Sequence, residues 1–209
     1  MLNTFTYHEI GNQEVLQLLK SLDGRKSTGE DQIPPKLVSL ASHELAVALT
    51  MEIDCSIHNS SFPNDANKAA VCPLDKGEPN RTVERNFRPV SVLNTFSKIY
   101  EKVLKQQLIQ HLDNTLSVFI AAYRQAYGTQ HVLIRLIEDW KSNLDNEYHV
   151  GAMCYPNGSF KSFDCIPHDL LIAKLHAYGF EEDALVLTYS YLKRRKQFES
   201  IIRTVLSKK

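Results

Sequence analysis

The chain has little of what usually advertises a function. Lysine plus arginine and aspartate plus glutamate each total 24 over 209 residues, so no global charge marks a nucleic-acid or membrane partner. Its four cysteines, Cys55, Cys72, Cys154 and Cys165, form no CxxC pair. That excludes a dense disulfide framework and favours free thiols in a reducing, intracellular setting, nuclear or cytoplasmic. No signal peptide opens the chain, and no apolar run is long enough to span a membrane. Cys165 and His168 stand three apart and His176 eight beyond, with no fourth ligand at zinc spacing, so no metal site is read there. Internal repeats and low-complexity tracts are also missing.

The length suits one domain, or one and a half, with a sizeable core. Charge is balanced in total but not in place. Lys193, Arg194, Arg195, Lys196, Arg203, Lys208 and Lys209 face Glu199 alone in the last stretch. Such a basic tail at 193–209 either grips phosphates or is a solvated, frayed terminus.

Periodicity gives a mostly helical reading. Asn12 can cap a helix carrying Val15, Leu16, Leu19 and Leu22, closed by Gly24. The segment from Lys26 to Pro34 has turn chemistry. Leu37, Leu40, Ala41, Leu45, Ala48, Leu49 and Ile53 recur at helical spacing and predict one long helix with a buried face, broken at Phe62-Pro63. Ala69 to Leu74 predicts a strand, and 78–86 a polar loop. Helices are expected at about Thr95 to Leu112 and Thr129 to Leu144, the second with Val132, Leu133, Leu136, Ile137, Trp140 and Leu144 as a core face. An apolar segment from His149 to Tyr155 predicts another strand. A polar turn leads from it to Pro167 and Asp169, both suited to a helix N-terminus. That helix carries Leu170, Leu171, Ala173, Lys174 and Leu175 and stops at Gly179. A last helix covers about Asp183 to Leu192.

The stretch Phe163-Asp164-Cys165-Ile166-Pro167-His168-Asp169, after a strand, closely resembles the palm segment of non-LTR retrotransposon reverse transcriptases, RNA-directed DNA polymerases of the LINE and jockey kind. Further blocks resemble that family in the same order. Lys26-Ser27-Thr28-Gly29-Glu30-Asp31-Gln32-Ile33-Pro34 looks like its K-S-x-G-x-D-x-I-P block. Pro73-Leu74-Asp75-Lys76-Gly77 looks like the end of a fingers strand. Asn86-Phe87-Arg88-Pro89-Val90-Ser91-Val92-Leu93 and Ser97-Lys98-Ile99-Tyr100-Glu101-Lys102 are similar to N-Y-R-P-I-S-L-L and S-K-I-F-E-K. Ala122-Tyr123-Arg124-Gln125 resembles (G/A)-(F/Y)-R-x, although Ala126 and Gly128 depart from the rest of that block. Ser190-Tyr191-Leu192-Lys193-Arg194-Arg195-Lys196-Gln197 looks like S-Y-L-x-x-R-x-Q.

The resemblance implies an α+β fold: a mostly helical fingers region at 1–145, the first strand and helix of a right-hand palm at 146–192, and the basic tail. It implies RNA-templated DNA synthesis, an RNA template or RNA–DNA hybrid as partner, and Mg²⁺ as the family's cofactor. By resemblance Lys76 and Arg88 face the incoming triphosphate or the template backbone, Arg124 touches the nucleic-acid strand, and Phe163 screens the sugar 2′-position. In the family a metal-binding Asp lies five residues before that aromatic; here the position is Gly158. Two more metal-binding aspartates belong to a hairpin expected beyond residue 209. No metal ligand is therefore assigned in this chain. Asp164 is the nearest substitute carboxylate, and its ordinary task is to order the turn before Pro167. Pro156 is unsuited to a central strand. The expectation is a reverse transcriptase fragment without polymerase activity, the alternatives being a residual nucleic-acid-binding module or a relic of a decayed mobile element.

Overall fold

The computed structural model describes residues 4–75, 77, 87–117, 119–121, 124, 126–151, 166–193 and 195–199. The described chain is α+β and mostly helical, with one small sheet. It divides into two compact units. One comprises Met1–Leu108 and His168–Lys209, the other Ile109–Pro167.

In the first unit, helix α1 (Asn12–Lys20) buries Val15, Leu16, Leu18 and Leu19. Its N-cap is Gly11 rather than the expected Asn12, with no side-chain cap bond. The helix predicted as continuous from Leu37 to Ile53 is two helices, α2 (Pro35–Leu40) and α3 (Ser42–His58). Ala41, at φ −89° and ψ 21°, interrupts them. The buried face differs from the expected one. Val38, Ser42, Ala46, Leu49 and Ile53 point inward, while Leu37 and Leu40 are 58% and 74% exposed.

Strand β1 (Lys68–Asp75) pairs antiparallel with β2 (Phe87–Leu93), with Ala69 opposite Leu93 and Asp75 opposite Phe87. The two prolines, Pro73 and Pro89, are opposite each other in the register. Helix α4 (Thr95–Thr115) comes directly after β2. Asn94 caps it: its Oδ1 accepts the Ser97 amide at 2.7 Å. Ile99, Tyr100, Val103 and Leu104 of α4 join Val15, Leu19, Ile53 and Phe62 in the core.

Two further helices, here numbered α6 (His168–Ala177) and α7 (Glu182–Lys193) in chain order, complete this unit. The turn between them passes through Gly179 at φ +90°, a left-handed conformation that favours glycine. The chain's N-terminal segment clips onto that turn. The Phe5 amide donates to the Gly179 carbonyl at 2.8 Å, and the Glu181 amide donates to the Phe5 carbonyl at 3.0 Å. Of the apolar face expected on α6, only Leu175 is buried, and Leu170 is 52% exposed. Residues 196–199, read from sequence as part of a basic tail, form strand β3 (Lys196–Glu199), parallel to β1. The sheet order is β2-β1-β3.

The second unit contains helix α5 (Thr129–Asp145). The expectation that its apolar face is core is overturned. No residue of α5 is buried, and Leu133, Ile137, Trp140 and Leu144 are all exposed. Residues 149–151, the described start of the strand predicted from His149 to Tyr155, are irregular. The remainder of that strand lies outside the described residues, as does the predicted loop at 78–86.

Candidate nucleic-acid interface

One of the residues singled out by sequence lies in the β1–β2 ribbon. Arg88 is the second residue of β2, at the register position opposite Leu74. Burial declines along β1 toward that end, where Leu74 is 58% exposed. Lys76 lies outside the described residues. In sequence it comes directly after Asp75, whose carboxylate accepts the Gly77 amide at 2.8 Å, with Gly77 at φ +81°. Arg88 thus lies by register at the Leu74–Asp75 end of the ribbon.

Arg124 sits in the second unit and is turned onto its own chain. Its Nε donates to Asp113 Oδ1 at 3.1 Å, and Nη2 donates to the Asp113 carbonyl at 3.2 Å. Nη1 donates to the carbonyl of Ser117 at 3.3 Å, and the guanidinium lies 4.8 Å from the centre of the Tyr127 ring. The side chain is only 11% exposed. In this arrangement Arg124 ties the end of α4 to the segment after it. Gly158, Phe163, Asp164 and Cys165 lie outside the described residues. His168 and Asp169 open α6, and Asp169 occupies the first turn, where a carboxylate complements the helix N-terminus. Among the described residues no group of three or more potential metal ligands comes together.

What the structure does bring together is the set of sequence blocks. Gly29 of the first block packs on Asn94 at the end of β2, and a Cβ at Gly29 would lie 2.4 Å from the Asn94 Cα. Lys98 Nζ donates to the Ser27 carbonyl at 3.2 Å. Burial depresses the Lys98 amine, more than the nearby Asp31 raises it. A second junction joins two of the blocks and Phe62. The Tyr191 hydroxyl donates to Glu101 Oε1 at 2.7 Å, and Arg195 Nη2 reaches both the same carboxylate and the Tyr191 oxygen. Phe62 stacks edge-on against both Tyr100, at 4.7 Å, and Tyr191, at 5.0 Å. The Phe62 amide donates to Ser190 Oγ at 3.1 Å.

The Glu101–Tyr191–Arg195 junction was not singled out from the sequence. Its one local signal is the i,i+4 spacing of Tyr191 and Arg195. Burial first, then the Glu101 carboxylate, pushes the Tyr191 phenol well above its ordinary range, against the pull of Arg195.

No protein-family model matches the chain. It is 25% identical over 186 residues, 88% of its length, to the RNA-directed DNA polymerase from mobile element jockey of Drosophila melanogaster. The probable RNA-directed DNA polymerase from transposon BS of the same organism gives 25% over 187 residues, again 88% of this chain. The jockey polymerase of Drosophila funebris gives 21% over 164 residues, 78% of the chain.

This chain is related to the reverse transcriptases of jockey-like non-LTR elements. It spans about a fifth of the length of the curated relatives it matches, covering 20% of each of the two Drosophila melanogaster polymerases. Several of the sequence blocks that resemble that family meet one another in the first unit, at Gly29–Asn94, Ser27–Lys98 and Glu101–Tyr191.

Proposed function

We propose that the chain is the nucleic-acid-gripping part of a jockey-like reverse transcriptase and holds an RNA template or an RNA–DNA hybrid. One observation carries this reading: the similarity to RNA-directed DNA polymerases runs over 88% of the chain. On this reading residues 1–145 are fingers, 146–192 the start of a palm and 193–209 a basic extension. Arg88, at the ribbon end, and Lys76 contact the phosphate backbone, since a guanidinium can clamp phosphate through two parallel hydrogen bonds.

Polymerisation is a separate matter. Nucleotidyl transfer uses two divalent ions held by carboxylates, and Gly158 brings no side-chain oxygen to the position where the family has aspartate. The residue present does not fit a magnesium site, so the chain by itself binds without extending a primer. Primer-extension assays with magnesium test this. No product is expected, and extension that persists after Asp164→Asn and Asp169→Asn would contradict it. Binding is tested by titrating the chain onto an RNA–DNA hybrid. Arg88→Ala is expected to weaken binding by roughly tenfold, as for a charge-assisted phosphate contact. Equal affinity of a folded Arg88→Ala chain would remove the ribbon from the interface.

A further inference from the structure

In the second unit, the segment after α4 and the first turns of α5 enclose a groove of about 170 Å³, lined by Phe119, Tyr127, His131, Arg135, Leu136 and Asp139 among others. That is smaller than the roughly 300–1,000 Å³ pockets that take drug-sized ligands. It suits one planar ring rather than a whole nucleotide.

The lining has an unusual composition for an exposed surface. Phe119 is 75% exposed and Tyr127 43% exposed, although large aromatics normally bury their rings. Each carries a cation. Arg135 lies 4.8 Å from the centre of the Phe119 ring, and Arg124 4.8 Å from that of Tyr127. His131 stands 5.9 Å from the Tyr127 ring. Its Nδ1 accepts the Gly128 amide at 3.2 Å, which leaves Nε2 as the nitrogen carrying the proton in the neutral ring. Asp139, one turn beyond Arg135, adds a carboxylate, an acceptor of N–H donors. Exposed aromatic rings with guanidinium planes beside them are how proteins stack unpaired bases.

We propose that this groove binds one unpaired nucleobase of a single-stranded nucleic acid, stacked against Phe119 and Tyr127. Asp139 favours guanine, whose N1–H and exocyclic N–H present adjacent donors to one carboxylate. The site extends the nucleic-acid reading and rests on it, but it lies in the second unit and uses none of the β1–β2 ribbon residues. The two can therefore fail separately.

The test is anisotropy of the full chain with fluorescein-labelled U12 RNA, the same 12-mer carrying one central guanine, and free GMP as competitor. The guanine-bearing strand is expected to bind several-fold more tightly than U12, and GMP to compete only weakly if a strand is the true ligand. Phe119→Leu keeps apolar bulk and removes the π-face, so a folded chain should lose about tenfold in affinity for both strands. Asp139→Asn should abolish the guanine preference, bringing the guanine-bearing strand down to the affinity of U12. Undetectable single-strand binding by a folded wild-type chain overturns the proposal. So does a Phe119→Leu chain that binds within twofold of wild type. Loss of single-strand binding in Arg88→Ala, with Phe119→Leu unaffected, would assign the strand to the ribbon instead.

Discussion

Gly29 lies against the backbone of Asn94, so closely that a Cβ at position 29 would stand 2.4 Å from the Asn94 Cα and 2.6 Å from its nitrogen. The φ of Gly29 is not positive, so the requirement is for space rather than for a left-handed conformation. The contact holds the loop of the first sequence block on the cap of α4, next to Lys98 and Ser27. Asn94 cannot retreat without giving up its cap bond to Ser97.

Gly29→Ala is therefore expected to destabilise the chain by about 1–3 kcal/mol, the range for forcing extra atoms into a packed site. Gly151→Ala, where nothing lies within 4 Å of the added carbon, is the control and should stay within about 0.5 kcal/mol of wild type. Urea denaturation of both variants measures the difference. Equal stabilities would mean that the loop yields.

The junction of Glu101, Tyr191 and Arg195 should show coupling. Tyr191→Phe and Arg195→Ala each remove a partner of the same partly exposed carboxylate, so their effects should not add. Partial exposure of both charged side chains screens the pair, and the interaction energy is expected at about 0.5–1 kcal/mol. A double-mutant cycle in urea reads it, and strict additivity would mean that the three side chains do not act together.

High pH should weaken the fold through the same region. Burial pushes the Tyr100 phenol up to about 12 and raises Tyr191 further, whereas an unfolded tyrosine ionises near 10. Both groups bind their proton more tightly in the folded chain. Their contribution is therefore complete below about pH 10 and is lost as pH rises through 10 toward the folded values. Phenolate absorbance of the folded chain should show late-titrating tyrosines, Tyr100 and Tyr191 among them. Ionisation of every tyrosine near pH 10, without unfolding, would contradict the burial.

Sequence reading located most elements because their local signals agree with the tertiary structure. Asn94 before Thr95 and Gly128 before Thr129 mark the starts of α4 and α5, where periodicity placed them. It failed where the deciding contact is distant. Nothing at Ala41 signals a break: it is a strong helix former, while Val38 of α2 and Leu49 of α3 both pack into the core. Periodicity on α5 correctly gives an amphipathic helix but cannot say whether its apolar face has a neighbour. β3 is four residues long and pairs with a strand more than a hundred residues earlier, so no local pattern announces it. Of the candidate site residues, Arg88 and Arg124 could be located in the structure. Arg124 hydrogen-bonds to Asp113, Ser117 and Ile120, contacts that its sequence block does not announce.

Those bonds give Arg124→Ala a definite outcome. Losing them should speed amide exchange between Ser117 and Tyr127 and cost about 1–3 kcal/mol locally, because carbonyls and a carboxylate lose their donor. Hydrogen exchange with peptide resolution checks it, and unchanged protection there would contradict the anchoring role.

The most direct test of the central claim is a salt series of anisotropy titrations with an RNA–DNA hybrid. If the chain grips the phosphate backbone, the logarithm of the binding constant falls linearly with the logarithm of salt concentration. Arg88→Ala should reduce that slope by about 1, one phosphate contact fewer. Binding that is absent, or indifferent to salt, in a cooperatively folded chain would contradict the assignment of a nucleic-acid-gripping role.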